Sequence, residues 1–429
     1  MHTLSQLRSG LLAGVSRLDL SCGLAEFPQE IYQLADSLEI LNLSGNSLSS
    51  LPDDLPRLHQ LKVIFCSDNQ FQHLPEVLGR CPQLSMVGFK ANQISSVSAA
   101  ALPKTLRWLI LTDNQLSQLP AELGQCLFLQ KLMLAGNQLQ SLPAELAACQ
   151  DLELIRIAAN QLKVLPDWLF TLPKLAWLAF AGNPFCKAPP PPLSSQLVHW
   201  QDLQIAEQLG EGASGLIYKA SWQIEEATQD VALKLFKGAL TSDGLPQCEM
   251  AACLAAGEHP ALIGAIGEVK HHPEQTPALL MPLIASGFSN LAGPPSLESC
   301  TRDIYQQDQP FSLDITLRIL SSIAAAAAHL HAAQILHGDL YAHNILINTK
   351  GETLLGDFGA ASFYTDTRLQ KIEVKAFAYL LEELISRTEG SPALLNQLLH
   401  LQARCSQSDL DSRPIFTEIF QELSTLSNN

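Results

Sequence analysis

Leucine returns at fixed places through the first half of the chain. The stretches LEILNLSGNSLSSLP (38–52), LRWLILTDNQLSQLP (106–120) and LQKLMLAGNQLQSLP (129–143) share the pattern L-x-x-L-x-L-x-x-N-x-L-x-x-L-P. Its asparagines, Asn46, Asn69, Asn92, Asn114, Asn137, Asn160 and Asn183, are spaced 23, 23, 22, 23, 23 and 23 residues apart. LDLSCGLAEFP (18–28) reads as an earlier copy, one residue shorter. A period of this length marks a solenoid of stacked units. Each unit offers one short strand whose leucines point inward; one unit cannot bury that face alone, so neighbours stack. The asparagine turns the chain after the strand, its amide satisfying backbone groups there. The Leu-Pro pair then starts the return along the convex side. Side chains alternate along a strand, so the residues six and four before each Asn are expected on the concave surface, among them Trp108, Ile110, Met133, Leu154 and Trp177. A contiguous apolar set predicts a docking surface for a protein partner. Docking of the second half of the chain, or a helix laid across the face, are the competing expectations.

The period ends in NPFCKAPPPPLSSQ (183–196). Its four prolines cannot continue a strand or helix and favour an extended spacer. The expected division is a repeat domain over 1–186, a Pro-rich linker over 187–197 and a second domain over 198–429, with its own boundary near 284/285. In that domain LQIAEQLGEGASGLIYKA (203–220) reads as two strands flanking a glycine-rich turn, with Gly210, Gly212 and Gly215 spaced G-x-G-x-x-G. A strand rather than a helix follows, which disfavours a dinucleotide fold. DVALKLF is an apolar strand carrying Lys234, and Glu249 sits in a short helix ended by Pro260. ALLMPLI (278–284) is another apolar strand, and DITLRILSSIAAAAAHLHAAQ is a long Ala-rich helix. ILHGDLYAHNILINTKGETLLGDFG (335–359) follows, with a hairpin turn at Asn348–Gly351.

A chain of 429 residues carries two or three domains by length. Hydrophobic residues make up 47% and charged residues 16%, enough to bury an ordinary core. The net charge of −16 is uneven. Residues 1–195 hold 13 basic and 15 acidic side chains, a net of −2; residues 196–429 hold 13 and 27, a net of −14. Such a field disfavours nucleic acid and anionic membrane and favours basic partners. The ten cysteines are scattered with no Cys-x-x-Cys, which predicts free thiols in a reducing compartment rather than disulfides or zinc. Arg8, Arg17 and Asp19 interrupt any N-terminal apolar run, and no stretch reads as the ~18 apolar residues of a membrane span. A cytoplasmic location without a membrane span is the expectation.

The ordered set GEGASG, VALK, a helix glutamate, HGDLYAHN and DFG resembles the protein-kinase signature and covers nearly all of 203–425. The first half has the period of leucine-rich repeats. The whole chain resembles bacterial proteins that join such repeats to a kinase domain. The expected fold is therefore multidomain: an α/β solenoid of about eight 23-residue repeats, then a two-lobed α+β kinase-like domain. The resemblance implies ATP and Mg²⁺ as cofactors. It implies that Gly210, Gly212 and Gly215 cover the phosphates, and that Leu209, Ile217, Ala232 and Leu346 enclose the adenine. Met281 would be the gatekeeper and Ile284 would offer a backbone N–H. Lys234 would pair with Glu249 and hold phosphates, Asn344 and Asp357 would hold Mg²⁺, and Asp339 would accept or orient the substrate hydroxyl proton. Charge spread over the transferring group's oxygens is what these types neutralise.

The resemblance has gaps. Gly338 stands where the family has an Arg that clamps an activation-segment phosphate. AASFYTDTRLQKI is a short activation segment with no Ala-Pro-Glu after it, and the supporting helix EVKAFAYLLEELI begins with Glu373 in place of Asp. Arg413 matches a family Arg whose usual partner is that missing Glu. Tyr341 replaces a Lys typical of Ser/Thr kinases. Ser362, Tyr364, Thr365 and Thr367 are hydroxyls open to autophosphorylation. A protein kinase, Ser/Thr rather than Tyr, is the leading expectation, with the repeats recruiting substrate or partner. A nucleotide-binding pseudokinase scaffold and a small-molecule phosphotransferase are the alternatives.

Overall fold

The repeated asparagine ties each unit to the one before it. Asn137 shows the arrangement: its Oδ1 accepts from Leu116 N at 3.0 Å, and its Nδ2 donates to Leu111 O at 2.9 Å and Leu134 O at 3.0 Å. Asn69, Asn114 and Asn160 repeat it. The computed structural model describes residues 2–186, 196–212, 214–241, 243–306 and 310–427, and these divide into two compact units. The first is Met1–Leu175 with Asn183–Phe185; the second is Ala176–Gly182 with Cys186–Asn429.

In the first unit a short helix α1 (Leu4–Arg8) precedes seven three-residue strands. These are β1 (Arg17–Asp19), β2 (Ile40–Asn42), β3 (Val63–Phe65), β4 (Met86–Gly88), β5 (Trp108–Ile110), β6 (Lys131–Met133) and β7 (Leu154–Arg156). They pair in parallel, residue for residue, one repeat apart. Their central residues Leu41, Ile64, Val87, Leu109, Leu132 and Ile155 are buried. Cutting one back to Ala would cost about 2–5 kcal/mol. Prolines 75, 120, 143 and 166 each precede a 3-10 turn on the return path, as the Leu-Pro reading expected.

The concave-face expectation holds only in part. Trp108, Ile110 and Met133 are half-buried; Trp108 Nε1 lies 3.3 Å from Met133 Sδ, and Lys131 covers the indole face at 4.5 Å. Leu154 is 4% exposed and Trp177 1% exposed, so neither is a free docking residue. The alternation rule assigns a face to a side chain and says nothing of what lies over that face. Trp177 opens the eighth strand, β8 (Trp177–Ala179), which groups with the second unit. The repeat domain expected over 1–186 is thus divided by its contacts at Leu175/Ala176. Of the expected linker 187–197, residues 187–195 lie outside the described residues, and Gln196–Leu197 already belong to a strand.

That strand, β9 (Gln196–His199), starts the second unit's main sheet. It is joined by β10 (Leu203–Glu211), β11 (Gly215–Ile224), β12 (Ala227–Phe236), β13 (Gly267–Lys270) and β14 (Ala278–Pro282), in the order β10-β11-β12-β14-β13-β9. Only β9–β13 is parallel. Trp222, Val231, Leu233, Val269 and Leu280 form the core of this lobe. Helix α2 (Pro246–Ala256) ends at Gly257, whose φ of 65° terminates it before Pro260.

The other lobe is helical: α3 (Leu313–Ala332), α4 (Arg368–Ile385), α5 (Pro392–Cys405) and α6 (Phe416–Ser427). By length and composition alone α3 is long and apolar enough to cross a membrane, contrary to the expectation that no stretch is. Its Leu317, Ile319, Leu320 and Ile323 are buried against the lobe, the pattern of a core helix. Helix α4 begins at Arg368, five residues ahead of the expected Glu373. Among the described residues no two cysteines form a disulfide, and seven of the ten are buried. Burial pushes the Cys126 thiol up to about 11 and Cys149 to about 12, which leaves both unreactive.

Candidate active site

A cavity of about 540 Å³ lies between the two lobes of the second unit. Antiparallel pairing of β10 with β11 brings Gly210, Gly212 and Gly215 to the cavity lining, and Gly212 N donates to Gly215 O at 2.9 Å. Gly215 has to be glycine: a Cβ there would stand 2.4 Å from Leu235 O. All the residues expected to bind nucleotide line the cavity: Leu209, Gly210, Gly212, Gly215, Ile217, Ala232, Lys234, Met281, Ile284 and Leu346. Ala232 faces Met281 across the β12–β14 pair, so the apolar wall is built by sheet register.

Lys234 on β12 and Glu249 on α2 form an ion pair, 8% and 5% exposed respectively. Burial raises the Glu249 carboxyl and nearby Asp357 adds to this; Lys234 opposes both. A buried pair costs desolvation, and its ammonium points into the cavity wall where an anionic group would be held.

The loop Leu336–Asn344 carries two of the expected site residues, Asp339 and Asn344. Asn344 Nδ2 donates to Asp339 O and to Asp339 Oδ2, both at 2.9 Å. Asn344 Oδ1 would then be the atom to meet a cation. Gly356 N donates to Asn344 O, and the buried His337 Nε2 bonds Gly356 O at 2.9 Å, so this loop and the one carrying Asp357 are tied together. Asp357 has φ of 56°, the left-handed region, a strained state for a non-glycine residue and one associated with function. Its Oδ1 accepts from Gly359 N at 3.1 Å. Asn344 and Asp357 line the cavity; Asp339 stands beside it, joined through Asn344.

Among the described residues no group of three or more His, Cys, Asp or Glu gathers as a metal cage. An Asn oxygen with one carboxylate suits Mg²⁺, which keeps waters and is completed by substrate phosphates. The donor set therefore fits the implied cofactor pair.

Several supports were not foreseen. Asp303 accepts from His343 N at 3.0 Å and bonds His343 Nδ1 at 2.7 Å. Burial pulls the imidazole down, but the bond to Asp303 and the nearby carboxylates outweigh it and raise it. Glu373, standing where the family has Asp, accepts from Gly338 N and bonds His331 Nε2, each at 2.7 Å. Burial alone would push Glu373 up; those partners hold its carboxyl below the usual range. Arg413 lacks the family glutamate and donates instead to Gln407 O and Lys371 O, both at 2.8 Å. Burial lowers the guanidinium to about 10. Of the four hydroxyls offered for autophosphorylation, Ser362 and Tyr364 are buried, while Thr365 and Thr367 are exposed.

Behind Asp303, Glu383 on α4 accepts from Tyr305 Oη at 3.1 Å. Burial pushes its carboxyl up to about 7, with Asp303 adding and Tyr305 and Arg302 opposing. An acid raised from an unfolded value of 4.5 favours folding fully below 4.5 and loses that contribution as pH rises through 7. Its ionisation in the folded protein costs about 3 kcal/mol. The Glu383→Gln variant should therefore melt higher than wild type at pH 8 and no higher at pH 4.5, as read by thermal denaturation at both. Equal melting differences at the two values would remove Glu383 as the source.

Residues 203–379 match the family of protein tyrosine and serine/threonine kinases, and residues 37–58 match leucine-rich repeats. The chain joins leucine-rich repeats to a protein kinase domain. It is 28% identical over 162 residues to a probable serine/threonine-protein kinase of Dictyostelium discoideum, covering 37% of this chain and 9% of that protein. It is 29% identical over 171 residues to the probable serine/threonine-protein kinase kinY of the same organism (38% and 28%). It is 26% identical over 201 residues to the tyrosine-protein kinase receptor TYRO3 of Danio rerio (43% and 22%). The chain thus matches between 9% and 28% of the length of these curated relatives, all of them eukaryotic.

Proposed function

We propose that the chain is an ATP- and Mg²⁺-dependent protein kinase that phosphorylates serine or threonine hydroxyls of a protein, in the cytoplasm, as the bacterial-type fusion implied by its sequence. The observation that carries this is one cleft uniting the Lys234–Glu249 pair, Asn344 and Asp357, with Asp339 hydrogen-bonded at its edge. Bound ATP and Mg²⁺ would supply the phosphoryl group and neutralise its charge. Lys234, fixed by Glu249, would hold the phosphates, and Asn344 and Asp357 would hold the cation; Asp339 would orient the acceptor hydroxyl and take its proton as the acceptor O–P bond forms and the bond from the γ-phosphorus to the bridging oxygen breaks, with ADP leaving. Two curated relatives named as serine/threonine kinases support the acceptor type. Transfer from radiolabelled ATP, followed by phosphoamino-acid analysis, tests the reading. Label on phosphotyrosine alone would change the acceptor, and binding of Mg²⁺–nucleotide without transfer would leave a pseudokinase.

Leucine-rich repeats suggest protein interaction, and the half-buried Trp108, Ile110 and Met133 support the concave face as the place. Changing Trp108 and Met133 together to Asp should abolish capture of a protein partner by the full chain while leaving Mg²⁺–nucleotide binding unchanged. Capture that survives would put docking elsewhere.

A further inference from the structure

One segment of the second unit, Ala176–Gly182, touches both loops that carry the reacting groups. Trp177 Nε1 donates to Leu340 O at 3.0 Å. Its ring lies flat on Tyr341, with centroids 4.1 Å apart and planes 5° apart, and Tyr379 stacks at 5.3 Å. The Arg302 guanidinium covers Tyr379 at 3.6 Å. Three residues further on, the backbone N–H groups of Phe180 and Ala181 both donate to Ser362 Oγ at 3.1 Å, and that hydroxyl donates to Ala360 O at 3.3 Å. Ser362 is fully buried.

Leu340 and Tyr341 directly follow Asp339, and Ser362 lies five residues after Asp357. Buried amides left without an acceptor are costly, so the Phe180–Ala181–Ser362 node resists opening. The broad aromatic stack fixes the backbone beside Asp339 in the same way. Misplacement by about 1 Å is enough to lower a rate about 10²-fold.

We propose that Ala176–Gly182 is a fixed brace for the catalytic machinery, with Trp177 positioning the loop after Asp339 and the Phe180–Ala181 amides positioning the segment after Asp357. Order in that segment then needs no phosphate on Ser362, whose hydroxyl is already engaged. The effect on rate rests on the kinase reading above; the effect on loop order does not.

Hydrogen exchange on the full chain tests it, with wild type, Trp177→Ala, Trp177→Phe and Ser362→Ala compared. Trp177→Ala should speed exchange at amides 340–344 at least about tenfold while β10–β12 stay as in wild type. Transfer from radiolabelled ATP to a Ser/Thr peptide library should lose about 10²-fold in kcat, with KM for ATP unchanged. Trp177→Phe, which keeps the stack and loses the bond to Leu340 O, should recover most of that rate and loosen 340–344 less. Ser362→Ala should loosen 362–364. Unchanged exchange at these amides, faster exchange spread evenly through the unit, or a matching rise in KM for ATP overturns the brace. Should Trp177→Ala not fold, Trp177→Phe and Ser362→Ala decide: each must loosen its own loop, and if neither does the brace is refuted. A wild-type chain that transfers no phosphate refutes the kinase reading, while exchange still decides the brace.

Discussion

Asp339→Asn should lower phosphoryl transfer by about 10²–10⁴-fold while nucleotide affinity stays within about twofold. The substitution is nearly isosteric, and its amide oxygen still accepts from Asn344 Nδ2, the bond that joins the two residues at 2.9 Å in the wild type. It removes the proton acceptor and little else. Affinity should hold because Asp339 stands beside the cavity rather than in its wall. The measurement is single-turnover transfer from labelled ATP alongside calorimetric titration with Mg²⁺–nucleotide. Equal residual transfer in variant and wild type would mean that Asp339 has no chemical role, and the enzyme reading would go with it.

The repeat and the cavity wall were open to reading because each rests on local pattern. A 23-residue asparagine period can only be satisfied by stacking, and the bonds from Asn137 to two neighbouring turns are that pattern made physical. The spacing of glycines, Lys234, Asn344 and Asp357 set the order of site elements, and the fold gathers them into one cavity. What escaped was long-range. Nothing near Asp303 in the sequence points to His343, 40 residues away. Arg413 was judged by the absence of a side-chain partner, whereas two backbone carbonyls take its place. Trp177 was placed by the alternation rule on an open surface, and its burial against Tyr341 and Tyr379 depends on residues 164 and 202 positions later. Ser362 and Tyr364 read as accessible because a short loop usually is; Ser362 instead lies in a two-residue strand paired with Ile335–Leu336, and Tyr364 Oη donates to His331 O.

Restoring the family arginine at residue 338 should damage the protein rather than add a phosphate clamp. Gly338 has φ of 73°, and a Cβ there would stand 2.7 Å from Ala360 O and 2.8 Å from Leu178 O. Both are backbone atoms, which cannot swing aside as a flexible side chain would. A side chain in the left-handed region costs about 1–2 kcal/mol, and overpacking adds about 1–3 kcal/mol. Gly338→Ala should therefore lose about 2–5 kcal/mol, a fall in Tm of about 5–20 °C for a domain of this size. Gly338→Arg should lose at least as much. Relief of the clash would also pull the residue 338 amide from Glu373 Oε1, its 2.7 Å acceptor, and shift Asp339 next to it. Transfer should drop with stability, and the two are separable by assaying well below the variant's Tm. The sequence departure at this position is thus a packing requirement of the fold. A Gly338→Arg protein that melts within 2 °C of wild type, measured by calorimetry, and keeps full activity would show that the close approach of Ala360 and Leu178 yields easily.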